Sequence, residues 1–572
     1  MVRPLYWLLS LCLLTASREL LAQAAPPATP SPAAAAFEPT TLTAQQTDNV
    51  AALAQVWGLL KYYHPAVAAG QLNWDADFLR LLPLVLASRS VAERSTVLST
   101  WLTALGPVAK CISCAEPPPY PVRVKPDVSW AANAQRFSPA LQQQLAFLHA
   151  NPYQGPPYYV STGNALSPAF PHEEAYADQA CPSRDLRLLA LVRYWNMIQY
   201  FYPYKYAIGE DWATSLTDLL PRFAEANTPL SYRHAVLALC ARLHDSHATL
   251  DPDPVLTAEA GDYLVAAALQ FIGSQAVVLR VRQDGRVPRP PVEPGDIITQ
   301  VDGTPVAELV RQRLPLTPGS NPAAQLRTIA LSLLRGATPT VTLQIDRAGK
   351  RQTLLVPRFK LGTVPPVQPL AADSMYRFLT PEVGYVDMAR ITKAKVPVLM
   401  HAFAHTKGLV IDLRNYPGEF VSYLLPGYFL TRPTAFAKVS VYDATYPGRF
   451  TERPPLLLQP ATATPYTGRV VVLVNELSLS QSEFTALALR ATPHCTILGS
   501  QTAGADGDIV RLTLPGKLTT RFSGTGIYYP DGQETQRVGI KPDIELRPTI
   551  EGVRAGRDEL RDRAVELITQ GH

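Results

Sequence analysis

The chain has 572 residues, enough for roughly three or four domains with buried cores. Hydrophobic residues make up 47% and charged residues 17%, which excludes a disordered or highly charged chain. The formal net charge is only +5, the basic residues are scattered, and no RNA-binding aromatic signature occurs, so nucleic acid is not an expected partner.

In chain order, Arg3, the apolar run from Leu5 to Ala16 and Ala22-Gln23-Ala24 have the layout of a secretory signal peptide over residues 1–24. The apolar run is short of a membrane span, and no later segment is long enough. The mature chain is therefore expected to be exported, to the periplasm or the exterior, without a membrane span. Residues 25–48, rich in Ala and Pro at their start, read as a linker. Cys111-Ile-Ser-Cys114 is a CxxC. With no second CxxC and an exported chain, a disulfide is favoured over a zinc half-site.

Residues 49–110 and 183–258 read as two copies of one helical unit. One ungapped offset carries Trp57 onto Trp195, Trp74 onto Trp212, Pro83 onto Pro221 and Leu105 onto Leu243. Only the second copy ends in a polar cluster, His244-Asp245-Ser246-His247, where the first continues Gly106-Pro107. Between the copies, residues 111–182 are a Pro- and Tyr-rich connection of irregular structure.

Residues 259–358 turn β-rich, with Asp302-Gly303 as a tight-turn signal between two strands and a helical insert at about 307–335. This segment resembles a PDZ domain. Such domains add an extended peptide to a sheet edge, which makes peptide capture an expectation here.

Residues 375–550 alternate strands and helices, as an α/β core does. A strand over 383–388 leads to a helix near 394–406. Next come a strand over 408–413, the Arg414–Gly418 turn and a further helix. Val471-Val-Leu-Val474 then forms a buried strand, followed by Ser478-Leu-Ser-Gln-Ser482 and an amphipathic helix from Ser482. A serine at such a strand-to-helix junction is either an N-cap or a nucleophile facing the free N–H groups of the helix. Residues 509–550 read as short strands and 551–572 as a C-terminal helix. His401 and His405 stand at i,i+4 on the expected helix, a zinc spacing. Without a motif glutamate or a third ligand they read as a solvated face, and no metal or cofactor is expected.

Acyl transfer by serine needs a nucleophile, a base, a group to orient the base and oxyanion donors. The candidates from the residues are Ser480, His247 and the backbone of Gly418. At this point the chain resembles the C-terminal processing peptidase family of serine peptidases, in its tricorn-like Ser/His branch. The resemblance rests on Asp412-Leu-Arg-Asn-Tyr-Pro-Gly418, Asn475-Glu-Leu-Ser-Leu-Ser-Gln-Ser-Glu483, Gly499-Ser-Gln-Thr-Ala-Gly504 and Gly539-Ile-Lys-Pro-Asp543, in that order.

The resemblance implies a crotonase/ClpP-like ββα core with Ser480 as nucleophile. The amides of Gly418 and Gln481 form the oxyanion hole, although Glu419 stands where the family has a second glycine. The lysine of the Ser/Lys branch is replaced by Ala505. The tricorn-like branch then implies His247 as base, Ser246 as its neighbouring serine and Glu534, or alternatively Gln536, as orienting group. The expectation is an exported serine endopeptidase acting on polypeptides. A catalytically silent peptide- or lipophile-binding protein and an interaction scaffold are the alternatives.

Overall fold

The computed structural model describes residues 41–570 apart from 113, 115–117, 364, 366 and 368–373. The expected signal peptide and most of the expected linker lie outside the described residues. The first helix, Ala44–Tyr63, begins within the stretch expected to be linker, because Thr43 caps it. The Thr43 hydroxyl accepts the Gln46 N–H at 3.2 Å, and the Gln46 side chain accepts the Thr43 N–H at 3.0 Å.

Ala44–Tyr63 and its counterpart Arg184–Phe201 are buried along most of their length, polar side chains such as Lys61, Arg193 and Asn196 included. Each is clasped to the next helix of its own copy by a reciprocal pair of indole hydrogen bonds. Trp57 donates to the Trp74 carbonyl at 2.9 Å and Trp74 to the Trp57 carbonyl at 3.0 Å; Trp195 and Trp212 repeat the exchange at 3.0 and 3.1 Å. The copies touch at equivalent positions. A Cβ on Gly58 would lie 1.7 Å from Oδ1 of Asn196, whose amide donates to the carbonyl of Ala54 at 3.0 Å.

The connection is anchored rather than free-standing. Cys111 and Cys114 form a disulfide, and the buried carboxylate of Glu173 pairs Lys61 of one copy at 2.5 Å and Arg193 of the other at 3.1 Å. Strand Val122–Val124 adds to a four-stranded sheet with Phe450–Leu458, Thr434–Tyr442 and Gly526–Tyr528.

Residues 263–360 form an antiparallel sheet that carries two helices, Val306–Arg313 and Pro322–Ser332, where one helical insert was expected. Asp302 and Gly303 have φ of 47° and 80°, the pair of left-handed residues that a tight hairpin requires.

The third layer is a six-stranded sheet in the order Tyr376–Thr380, Val383–Asp387, Gly408–Asp412, Arg469–Val474, Cys495–Gly499, Ile544–Glu545, parallel after its first pair. Arg469–Val474 is buried on both faces. Val470, Val472 and Val474 pack with the helix Gln481–Arg490, while Val471 and Leu473 pack with the helix Glu559–Thr569. Two expectations are corrected here. After the Arg414–Gly418 turn only the four-residue helix Leu424–Gly427 occurs, followed by the two long strands Thr434–Tyr442 and Phe450–Leu458. The helix before Gly408 stops at Ala402, so His401 and His405, both exposed, do not share a helical face.

Candidate active site

Ser480 sits between the buried strand Arg469–Val474 and the helix Gln481–Arg490, with φ 55° and ψ −117°. An N-cap residue has extended backbone. A non-glycine residue in this region of φ/ψ is strained and persists only where its surroundings hold it. Three contacts do so: the Ser480 N–H is shared between the carbonyl of Ala505 at 3.0 Å and Oε2 of Glu483 at 3.2 Å, and the Ala503 N–H binds the carbonyl of Ser478 at 2.9 Å.

Glu483 is the residue that the sequence reading passed over. Its carboxylate is buried and accepts from the Thr502 hydroxyl, from the N–H of Gly504 at 2.8 Å and of Ala505 at 3.0 Å, and from Ser480 itself. Burial pushes this carboxyl up to about 7 in spite of those donors. The Ser-x-x-Glu spacing of a capping box was the signal that could have found it.

Ser480 also lines a cavity of about 490 Å³. The walls include Tyr416, Phe420, Tyr423, Phe484, Leu456 and Ile527, and Leu166 of the connection reaches it as well. Among the described residues no acceptor faces the N–H of Gln481, the first of the helix, which leaves that donor available beside the hydroxyl.

His247 follows the second helical copy and is buried. Its Nδ1 stands 2.9 Å from the Ser523 hydroxyl, and that hydroxyl donates to Oδ1 of Asp245 at 3.0 Å. Asp245 is fully buried and also accepts the N–H of Ser523 at 2.8 Å and of His247 at 3.0 Å. Because the Ser523 proton is committed to Asp245, its oxygen accepts, so Nδ1 carries the imidazole hydrogen and Nε2 is left as the basic nitrogen. Burial lowers the His247 pKa from its ordinary value, opposed by the Asp245 charge, which keeps the ring neutral at pH 7. His247 and Ser480 do not hydrogen-bond to each other in this conformation.

One loop ties the two together. The Ser246 hydroxyl donates to the Ala503 carbonyl at 3.0 Å, and the Ser480 N–H donates to the Ala505 carbonyl at 3.0 Å. Carbonyls two residues apart are at most roughly 7 Å from one another.

Three expected roles do not match what these side chains touch. The Ser246 hydroxyl, bound to Ala503 and accepting the Ser320 N–H at 2.9 Å, makes no contact with the His247 ring. Glu534 is held by Arg123 at 2.9 Å and the Tyr206 hydroxyl at 2.7 Å, and Gln536 by the Tyr202 hydroxyl at 3.3 Å, so neither orients the imidazole. The Gly418 N–H is engaged by the Met388 carbonyl at 2.9 Å and is not free for an oxyanion. The group on Nδ1 is instead Ser523 backed by Asp245. Asp245 lay in a cluster already singled out, while nothing in the sequence marked Ser523.

Residues 382–546 match the model of peptidase family S41. A carboxy-terminal-processing protease of Bartonella bacilliformis (strain ATCC 35685 / KC583 / Herrer 020/F12,63) is 26% identical over 294 residues, 46% of this chain and 62% of that protein. The carboxy-terminal processing protease CtpA of Bacillus subtilis (strain 168) is 22% identical over 334 residues, 54% of this chain and 63% of that protein. The segment 382–546 is thus similar to peptidase family S41, and both relatives are named carboxy-terminal processing proteases. The chain spans less than two thirds of the length of these relatives. The fold of mature CPAF, solved in complex with lactacystin, is similar at a TM-score of 0.53 and 14% identity, covering 68% of this chain and 99% of that one. Among the described residues no helix is long and apolar enough to cross a membrane.

Proposed function

We propose that the protein is an exported serine endopeptidase of the tricorn-like branch, with Ser480 as nucleophile and His247 as general base. The observation that carries this reading is the strained backbone of Ser480, held between a buried strand and a helix N-terminus at the wall of a cavity.

In the proposed reaction the Ser480 hydroxyl attacks a peptide carbonyl and its proton passes to Nε2 of His247. The Gln481 N–H and the helix dipole stabilise the oxyanion. His247 then protonates the leaving amine, and water hydrolyses the acyl-enzyme by the same route in reverse. Ser523 and Asp245 hold the tautomer that this requires. A second oxyanion donor from Gly418 needs its N–H released from Met388, so substrate binding is proposed to move that loop and to bring His247 to Ser480.

The β-rich segment 259–358 is proposed to be a PDZ domain that presents an extended polypeptide to the site. Its support is proximity: Ser320 and Ser246 exchange hydrogen bonds, and the Asn321 amide donates to the Thr502 carbonyl at 2.9 Å.

The test is a fluorophosphonate probe with the adduct mapped by peptide mass. Modification of Ser480 in the wild type and none in Ser480→Ala is the expected result. An adduct elsewhere, or one that persists in Ser480→Ala, contradicts the assignment.

A further inference from the structure

The cavity beside Ser480 holds polar atoms that peptide hydrolysis as described does not use. Asp506 is 3% exposed; its Oδ1 accepts the Gly507 N–H at 2.7 Å, and its Oδ2 has no hydrogen-bond partner. Thr525, also 3% exposed and on the same cavity, has an unpartnered hydroxyl. A buried polar atom left unpaired is unfavourable, and with Nε of Arg453 three such atoms belong to residues lining this cavity, which marks a place where something else supplies the partner.

Two aspartates and one arginine line this cavity. Burial, with the neighbouring Glu483 and Asp508 carboxyls, pushes the Asp506 carboxyl well above the usual carboxylate range. Asp508 lines the cavity too, and burial raises it as well. The Arg453 guanidinium lies over the Tyr120 ring at 4.6 Å, and its Nε is buried without a hydrogen-bond partner. The remaining walls are largely aromatic and aliphatic. Aromatic faces attract cations, and apolar walls cover the methylene stem of a long basic side chain.

Resting on Ser480 as the nucleophile, we propose that this cavity is the subsite for the residue whose carbonyl is attacked, and that it selects lysine or arginine through Asp506 and Thr525. A cation close to Asp506 favours its ionised form and converts an unpaired buried carboxyl into a charge-assisted pair. A leucine in the same pocket leaves Oδ2 of Asp506 unpaired.

Two measurements on the full-length protein decide it. In the first, kcat/KM is compared for peptides that differ only in the residue before the scissile bond. Lysine and arginine should exceed leucine by ~10² or more, the size expected when a buried polar site loses its partner. Asp506→Asn should remove that advantage, and Asp506→Glu should restore part of it. A preference for leucine, or an equal loss on every peptide, overturns the proposal.

In the second, benzamidine is titrated into Ser480→Ala by calorimetry. Saturable binding is expected, weakened at least about tenfold by adding Asp506→Asn and absent for neutral benzyl alcohol. Equal binding of the neutral analogue, or no binding of benzamidine, overturns it. This arm does not depend on catalysis. Failure of the probe to label Ser480 would sink the peptidase reading alone, whereas labelling together with a leucine preference would sink the subsite alone.

Discussion

Asp245, Ser523 and Glu483 make the residue-scale predictions. Nδ1 of His247 gives its hydrogen to Ser523 and Ser523 gives its own to Asp245, so an amide in place of Asp245 can turn that chain round and present the wrong tautomer. Asp245→Asn should slow probe labelling on the order of 10³-fold, and Ser523→Ala by a smaller factor. Glu534→Gln should leave the rate within a few-fold, because that side chain serves Arg123 and Tyr206. A large loss in Glu534→Gln with none in Asp245→Asn would restore the expectation from family resemblance.

Glu483 sets a pH dependence. Its carboxyl titrates near 7 in the folded protein against an ordinary 4.5, so the folded state keeps a proton that the unfolded chain releases between those values. The stabilisation is present in full below pH 4.5 and is lost as pH rises through 7, on the order of 3 kcal/mol. Denaturant unfolding from pH 4.5 to 7 should show wild type losing stability relative to Glu483→Gln; parallel profiles would mean that the carboxyl is not raised.

At the scale of elements, the helix pair makes the prediction. Gly58 leaves no room for a Cβ beside Asn196, so Gly58→Ala should destabilise by about 1–3 kcal/mol through overpacking, despite the better helix propensity of alanine. Adding Asn196→Ala should recover part of the loss, and additive losses in the double variant would place the strain elsewhere.

The elements that could be read from sequence were those with one dominant local pattern. The strands Gly408–Asp412 and Arg469–Val474 are short β-branched runs, and the paired tryptophans mark the helices in both copies. The hairpin of Thr434–Tyr442 and Phe450–Leu458 was missed because Pro454 and Pro455 argue against a strand. They are tolerated because both are exposed, lie beyond the stretch that pairs with Val122–Val124, and fall where the register with Thr434–Tyr442 shifts.

At the scale of the whole molecule, three distant segments meet on the loop 500–508. The end of the second helical copy brings Asp245, Ser246 and His247. The β-rich segment brings Ser320 and Asn321, and the strand–helix turn brings Ser480 and Glu483. Ser480, His247 and the four motifs could be singled out in sequence because each carries local chemistry. Their orienting groups could not, since Ser523 lies 276 residues from His247 and joins it only through tertiary packing.

The dependence of Ser480 on a histidine from the helical region is the central claim. It is tested most directly by the rate of fluorophosphonate labelling in His247→Ala, with His401→Ala as a control and circular dichroism to show that both are folded. The mechanism predicts a loss on the order of 10³–10⁴-fold in His247→Ala and none in His401→Ala. Labelling of Ser480 at the wild-type rate in folded His247→Ala would contradict it.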